Sequence, residues 1–387
     1  MGAMGTEWTD PFNTPERRAL RELTRDFVTR EVLPGLDEWE RAGDIPRSLH
    51  AKAAAAGLLG LGFPEEVGGS GGNLIDGLVM TEELMQSGAS GGLAAGLFTH
   101  GIALPHIVAA GDRDQAERFV RPVLEGRAIA ALAITEPDGG SDVAALRTRA
   151  ERDGDEYVIN GSKIYITSGA RADWVVVGVR TGGPGFGGIS LIVVPSDTPG
   201  FSVVRRLEKI GWHCSDTAEL AFTDCRVPAA NLVGMQDSGF IQIAMQFVVE
   251  RLSIAVQAYA TAQRCLDLAL EWARMRHTFG KPLVAHQVVR HQLVEMDRLT
   301  DVARTYTRQV ALRHVAGKEV IAEAALAKNT AVAAAEAVSY QAIQIFGGQG
   351  CMSDSEVERH YRDVRILSIG GGATEVMTEL AARRLGL

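Results

Sequence analysis

The chain has 387 residues, which is enough for two or three domains of ordinary size with buried cores. Its composition, 46% hydrophobic and 22% charged, is typical of a soluble globular protein and excludes disordered, collagen-like and coiled-coil chains. Acidic residues outnumber basic ones by 48 to 39, which leaves a net charge of −9. We therefore expect no surface for nucleic acid or for an anionic membrane, and an anionic ligand would need a local basic site.

Cysteine and histidine usage indicates neither a disulfide framework nor a metal site. The four cysteines show no C-x-x-C spacing, and none of the nine histidines belongs to an H-E-x-x-H pair. The cysteines fit a reducing cytosol best, and the first ten residues lack the basic or apolar run of a targeting signal, so we expect a cytoplasmic protein. The most apolar stretch, residues 91–110, contains Thr99, His100, Pro105 and His106, which favours a buried helix pair over a membrane span.

The first third of the chain is predicted to be helical. Thr14 and Pro15 form an N-cap followed by proline at the first helical position, and Leu20 and Phe27 then fall on one helix face. Glycine-rich breaks such as residues 68–72 separate the later helical runs. Those runs are predicted at 48–57, 74–86, 92–110 and 114–125.

Near residue 130 the pattern changes to short β-branched or alternating runs separated by turn residues, as in an antiparallel barrel or sandwich. The strands are predicted at 129–134, 156–159, 163–167, 174–179, 189–194, 201–204 and 218–222. Further amphipathic helices are predicted at about 240–275, 284–315, 318–346 and 373–385. The expected fold is mostly α with a central β domain. Its parts are an N-terminal helical domain (1–130), a middle β-barrel or sandwich domain (131–237) and a C-terminal four-helix bundle (238–387).

Three glycine-containing segments lie in the β region. GPGFGG at 183–188 satisfies G-x-G-x-x-G, but it lies between two strands and opens no helix, so a hairpin loop is predicted instead of a dinucleotide site. TEPDGGSD at 135–142 follows a strand, and its glycines and hydroxyls can present donors to an anion or a heterocycle edge. NGSKIYITSG at 160–169 begins with Asn-Gly, which predicts a hairpin turn before a strand.

The last two of these segments are followed by further motifs. They are FTDCRVP (222–228), RHTFGK (276–281) with Gln287 after it, QIFGGQG (344–350), Arg362-Asp363, and IGGGATEVM (369–377). In this order they resemble the acyl-CoA dehydrogenase family over nearly the whole chain. The resemblance implies that family's three-domain fold and a homotetramer, a dimer of dimers, with each FAD held between subunits.

The resemblance also implies roles for individual residues. The isoalloxazine ring of FAD would be lined by Thr135, Ser141, Tyr165 and Thr167, with Ser141 also contacting the substrate. The pyrophosphate and adenosine of a neighbouring subunit's FAD would be reached by Arg276, Thr278, Gln287, Gln344, Gly347 and Gly348. Thr374 and Glu375 would lie near the cofactor. Many family members have tryptophan where this chain has Tyr165, whose ring offers less area for stacking.

Oxidation of an acyl thioester between its α and β carbons needs a base with a raised pKa. Many family members carry a glutamate for this at the position of Gly371. A branch that resembles isovaleryl- and long-chain acyl-CoA dehydrogenases instead uses a Glu-Arg-Leu helix, matched here by Glu250 and Arg251. Phe247 and Ile254 make the face of Glu250 partly apolar, which raises a carboxylate pKa. The resemblance implies Glu250 as the base, Arg251 at the substrate, and the Gly371 N–H as a donor to the thioester carbonyl. The alternative for Glu250 is a simple ion pair with a nearby arginine.

The implied reaction converts an acyl-CoA thioester to the 2-enoyl-CoA. Glu250 would remove the α-proton, N5 of FAD would accept the β-hydride, and the electrons would pass to electron transfer flavoprotein. Two alternatives remain open: a flavin-dependent oxidase or monooxygenase on the same scaffold, and a non-catalytic subunit of a hetero-oligomeric dehydrogenase. The floor of the acyl pocket would come from residues 92–101, where small side chains indicate room.

Overall fold

The computed structural model describes residues 10–387. The first nine residues, which belong to the segment where we expect no targeting signal, lie outside the described part. The helices are α1 (Pro15–Phe27), α2 (Leu33–Ala42), α3 (Arg47–Ala55), α4 (Leu74–Gln86), α5 (Gly91–Leu97), α6 (His100–Ala110), α7 (Arg113–Gln115), α8 (Arg121–Leu124), α9 (Gly239–Met275), α10 (Gln287–Val315), α11 (Ile321–Phe346), α12 (Glu356–Leu367) and α13 (Thr374–Leu385).

Local capping explains why the N-terminal helices begin where they do. Thr14 Oγ1 accepts the Arg17 N–H, and Pro15 occupies the first position of α1, as predicted. Asn73 caps α4 reciprocally with Asp76, because each side chain accepts a backbone N–H at the helix start. The predicted helix pair in residues 91–110 is also confirmed, as α5 and α6 with a break between them.

The middle of the chain forms one seven-stranded sheet and a small ribbon lies further on. The strands are β1 (Ala130–Ala133), β2 (Arg149–Asp153), β3 (Glu156–Thr167), β4 (Trp174–Arg180), β5 (Ile189–Pro195), β6 (Phe201–Arg206) and β7 (Thr217–Pro228), with β8 (His277–Thr278) and β9 (Lys281–Pro282) in the ribbon. The sheet order is β1-β4-β2-β3-β7-β6, and β5 pairs with β4. Residues 183–188 connect β4 to its antiparallel partner β5, as predicted.

Two details of the β prediction are wrong. The sheet is mixed, because β1 and β4 run parallel. Both strands are almost entirely apolar and are covered on both faces, a pattern typical of parallel strands, not of a half-exposed antiparallel sheet. The Asn160-Gly161 dipeptide is not a hairpin turn either; it lies inside β3 at a register shift against β7. The turn is made by Gly154, between β2 and β3, with φ +62°.

The C-terminal domain has five helices in the part of the chain that the structure describes, one more than predicted. The missed helix is α12, whose Val357, Val364 and Leu367 are buried at helical spacing. Its Asp363 accepts the N–H of Gly91 at 2.9 Å and that of Trp212 at 2.7 Å. The carboxylate therefore joins α12 to the N-terminal helices and to the loop between β6 and β7.

Within the described residues, 10–387, two segments are long and apolar enough to cross a membrane by length and composition, Gly91–Ala110 and Gly239–Met275. The first is divided into α5 and α6, and α9, the second, packs against α11, α10 and α4. Core helices of globular proteins pass the same length and hydropathy test, so these two segments are weak evidence for a span.

Candidate active site

A buried ion pair holds the turn that follows β1. Glu136 accepts two backbone N–H groups from the segment before β2, at 2.6 and 2.8 Å. The ammonium of Lys163, which is completely buried, donates to the same carboxylate at 2.8 Å. Since Lys163 lies on β3, the pair ties the turn to that strand. Thr135 and the exposed Ser141 therefore stand at the two ends of an anchored turn.

Tyr165 lies on the same side of the site, at a bulge of β3. The register between β3 and β7 shifts around it, its backbone is left-handed (φ +62°), and its side chain is 67% exposed. The Ile164 N–H donates to the Thr135 carbonyl at 3.0 Å, so the two segments are adjacent. Thr167 follows at the end of the strand. A bulge re-aims a side chain, and here it leaves an aromatic face free for stacking.

The second group of predicted cofactor residues lies where α9 ends. Arg276 follows the helix directly, and the ribbon β8–β9 then turns at Phe279 and Gly280, both with positive φ. Phe279 is 96% exposed. Arg276 is also exposed, and its guanidinium forms no ion pair with any residue between 10 and 387. A free guanidinium suits a pyrophosphate through charge-assisted hydrogen bonds.

The remaining predicted residues of this group lie at the same end of the helical bundle. Trp272, in the last turn of α9, stacks on Phe346, in the last turn of α11, with ring centroids 4.8 Å apart. This contact brings the exposed Gln344 and the turn at Gly347 and Gly348 to the end of α9. Thr278 lies on β8, and Gln287 begins α10 just after β9.

One helix, α9, carries Glu250 near its start and leads into Arg276 at its end. Glu250 lies on α9, which continues unbroken to Met275 just before Arg276. At 1.5 Å per residue, the helix axis between Glu250 and Met275 is about 38 Å long. Arg276 is therefore far along this helix from Glu250 of the same chain.

Glu250 is half-buried on α9 and faces the loop before α13. Its Oε1 lies 3.5 Å from the place where a β-carbon on Gly371 would stand. Burial raises the pKa of Glu250, and the nearby charges of Arg251 and Lys328 oppose that rise. No side chain between residues 10 and 387 forms an ion pair with Glu250 within 4.0 Å, so the simple ion-pair reading is not supported.

The loop beside Glu250 has a backbone that favours glycine. Gly371 and Gly372 have φ of +65° and +109°. A β-carbon on Gly371 would overlap Cδ1 of Ile254 and reach the carboxylate of Glu250. The place taken by glutamate in many family members is therefore next to the carboxylate that this chain carries on α9. Among residues 10–387 the Gly371 N–H has no hydrogen-bond acceptor, which leaves it available to a ligand.

Three side chains hold the carbonyls of this loop. Arg251 Nε donates weakly to Gly371 O at 3.5 Å, Lys328 Nζ donates to Gly372 O at 2.5 Å, and Asn329 Nδ2 donates to Thr374 O at 3.0 Å.

Arg251 is 6% exposed and lies 4.8 Å over the ring of Phe247. Its visible contacts are thus to the loop and to Phe247. The sequence pattern did not single out Lys328 or Asn329, because a lysine in an alanine-rich helix reads as a solvent-facing charge.

The small residues at 92–101 differ in the room they leave: a β-carbon on Gly101 would meet nothing within 4 Å, whereas the start of α5 is closely packed. A β-carbon on Gly91 would overlap the Trp212 indole, and one on Gly92 would lie 2.9 Å from Trp212 Cα. Trp212 itself has φ +56° and is held by Asp363. These two glycines therefore accommodate the close approach of Trp212.

Comparison with known protein families matches the chain in three consecutive parts. Residues 14–127 match the acyl-CoA dehydrogenase N-terminal domain, residues 131–225 the middle domain and residues 237–386 the C-terminal domain. A solved structure described as a probable acyl-CoA dehydrogenase from Mycobacterium abscessus is 61% identical, with a TM-score of 0.96 over 97% of this chain and 100% of that one.

Two curated relatives are equally similar but differ in acyl length. The mitochondrial long-chain specific acyl-CoA dehydrogenase of Rattus norvegicus is 36% identical over 96% of this chain and 86% of its own length. The short-chain specific enzyme of Homo sapiens is also 36% identical, over 95% and 89%. Together with the family matches, these similarities show that the chain belongs to the acyl-CoA dehydrogenase family and is a flavin-dependent oxidoreductase.

Proposed function

We propose that the protein binds FAD and oxidises an acyl-CoA thioester to the 2-enoyl-CoA, with Glu250 as the base. One observation carries the proposal. Among residues 10–387, the carboxylate of Glu250 has no ion-pair partner, and it adjoins the Gly371 N–H, which has no acceptor. A base and a hydrogen-bond donor are what removal of a proton next to a thioester carbonyl requires.

In this mechanism Gly371 and Glu250 act on two neighbouring groups of the substrate, the thioester carbonyl and the α-carbon. The Gly371 N–H donates to the thioester oxygen, where negative charge develops as the proton leaves. Glu250 takes the α-proton and becomes a neutral carboxylic acid. The bound flavin supplies the acceptor for the β-hydride, so the substrate loses H⁺ and H⁻ in total and gains a double bond.

Burial makes Glu250 a stronger base than an exposed carboxylate, because it raises the pKa of the conjugate acid. The charges of Arg251 and Lys328 limit this rise, because a nearby cation favours the ionised carboxylate. Arg251 we assign to positioning the loop, since its side chain is buried against Phe247 and reaches Gly371 O. Ser141, which is exposed at the end of its turn, is the remaining candidate for contact with the substrate.

For FAD we propose two half-sites on different subunits. Thr135, Ser141, Tyr165 and Thr167 would contact the isoalloxazine ring, with Thr374 and Glu375 nearby. The residues at the end of α9, with Gln287, Gln344, Gly347 and Gly348, would hold the adenosine diphosphate half of a neighbour's FAD. The axial distance of about 38 Å along α9 supports this division. A homotetramer built as a dimer of dimers would provide both halves.

We expect Arg276→Ala to lower FAD occupancy, because it removes the guanidinium proposed to bind the pyrophosphate. Flavin content per chain, measured by absorbance after heat release, should fall, and the released cofactor of the parent protein should be FAD. Arg274→Ala removes an exposed charge from the same helix end and should leave occupancy unchanged. Released FMN, or full FAD occupancy in a dissociated monomer, would contradict the shared site.

The electron acceptor that we propose is electron transfer flavoprotein, in the cytoplasm. The decisive experiment mixes the holoprotein anaerobically with straight and branched acyl-CoA thioesters and follows the flavin absorbance. A dehydrogenase bleaches, reoxidises slowly in air and reoxidises quickly with electron transfer flavoprotein. An oxidase would bleach and reoxidise quickly in air. A non-catalytic subunit would not bleach with any thioester, and that result would overturn the proposal.

A further inference from the structure

Two lysines of the chain, Lys163 and Lys328, are completely buried, and their surroundings differ. Lys163 has a carboxylate partner, Glu136, at 2.8 Å. Lys328, on α11, has none within 4.0 Å among residues 10–387, and its ammonium donates to the carbonyl of Gly372 at 2.5 Å. A buried cation without a close counter-ion is costly to the fold. Its presence therefore calls for a role beyond packing.

The charges around Lys328 come from the candidate active site. The groups that act on its titration are Arg251 and Glu250, both on α9, which packs against α11. Burial, and after it the charge of Arg251, lower the pKa of Lys328 to about 8, while Glu250 opposes the decrease. At pH 7 the ammonium form therefore predominates. The same two cations, Arg251 and Lys328, are those that act on Glu250.

Lys328 also anchors the residue that follows Gly371. Gly372 has φ +109°, a backbone conformation that residues with a side chain rarely adopt, and it lies outside the regular helices and strands. Its carbonyl is fixed by Lys328, while Asn329, the next residue of α11, fixes the carbonyl of Thr374. One turn of α11 thus holds the loop that lies against Glu250.

We propose that Lys328 is a positioning residue for the oxidation reaction: it anchors the Gly371-Gly372 loop that lies beside Glu250 on α9. The proposal rests on the assignment of Glu250 as the base. It predicts an effect on the protonation of Glu250 that a lysine needed only for stability would not have.

The first test replaces Lys328 by methionine, which keeps the length of the side chain but removes the charge and the donor. The rate of flavin reduction should increase with pH as Glu250 ionises, with a midpoint at the pKa of Glu250. In Lys328→Met this midpoint should move to a pH higher by about one unit, because a neighbouring cation no longer favours the ionised form of Glu250. The rate at the high-pH plateau should fall about 10-fold through the loosened loop. Lys328→Arg, which keeps the charge, should leave the midpoint within error of the parent.

The matched control is Arg308→Met, which removes a cation that bonds Glu82 at 2.8 Å and belongs to no part of the proposed site. This variant should lower the melting temperature without moving the pH midpoint. If Lys328→Met lowers the melting temperature but has the midpoint of the parent, or if Lys328→Arg shifts the midpoint upward as methionine should, the positioning role is wrong.

A second measurement does not depend on turnover. Infrared difference spectra between the holoprotein and its Glu250→Gln variant give the protonation of Glu250 as a function of pH. The midpoint should be higher in the Lys328→Met background than in the parent, and equal midpoints would overturn the electrostatic part of the inference. If Glu250→Gln retains the full oxidation rate, the proposed base fails, whereas the infrared midpoints still test the link between Lys328 and Glu250.

Discussion

Glu250→Gln should slow flavin reduction by acyl-CoA by roughly 10² to 10⁴, the usual contribution of a general base. The amide keeps the shape of the side chain but cannot take the α-proton. FAD should remain bound, because Glu250 lies about 38 Å along α9 from the Arg276 end and belongs to neither proposed FAD half-site. Anaerobic stopped-flow absorbance of the flavin, with saturating thioester, measures the rate.

Glu82→Gln provides a control in which a different carboxylate is replaced by an amide of the same shape. Glu82 accepts a hydrogen bond from Tyr259 at 2.6 Å and pairs with Arg308 at 2.8 Å, away from the Gly371 loop. Its replacement should lower the melting temperature and leave the rate of bleaching close to that of the parent. If the flavin of Glu250→Gln bleaches as fast as that of the parent protein, Glu250 is not the base. The chain would then have to be tested as a flavin-dependent oxidase or as a non-catalytic subunit.

Gly371→Ala should lower kcat by about 10² to 10³, the cost of losing one donor to a developing oxyanion. The added β-carbon meets Cδ1 of Ile254, and the backbone at φ +65° disfavours any residue with a β-carbon. The peptide must therefore rotate or shift, and the N–H moves away from the thioester oxygen. Steady-state kinetics with electron transfer flavoprotein as acceptor measures the loss.

Gly370→Ala is the matched control in the same loop. Its β-carbon would meet only the Ile366 carbonyl, at an ordinary contact distance of 3.6 Å, and its φ is not positive. This variant should keep kcat within a few-fold of the parent. A second control, Gly371→Ala with Ile254→Ala, removes the overlap but keeps the backbone strain, so most of the defect should remain. Full activity in Gly371→Ala would mean that its N–H does not bind the thioester.

Local sequence signals determined most of the helices and their ends. At these helix starts, side chains two or three residues away accept the free N–H groups, as Thr14 does in α1 and as Asn73 and Asp76 do in α4. The order of the motifs likewise identified the family, because each motif is a short continuous stretch that can be read directly from the sequence. The proposed roles of Glu250 and Gly371 came from the same resemblance. Glycine stands at position 371, where many family members have glutamate, and a Glu-Arg-Leu helix supplies a carboxylate at position 250.

Tertiary structure decided what depends on partners distant in the sequence. The parallel direction of β1 and β4 goes with the burial of both strands on both faces. Asn160-Gly161 lies at a register shift inside β3, because β7 pairs along the whole of that strand. The sequence could not tell that Gly92 is packed against Trp212 whereas Gly101 faces open space.

Lys328 is the clearest example of a residue whose role could not be predicted from the sequence. Nothing near it in the sequence marks it as buried, and its acceptor is the carbonyl of Gly372, 44 positions further along the chain. The desolvation of a charge and the geometry of a hydrogen bond are set by neighbours in space, so only the folded chain could reveal its place beside Glu250.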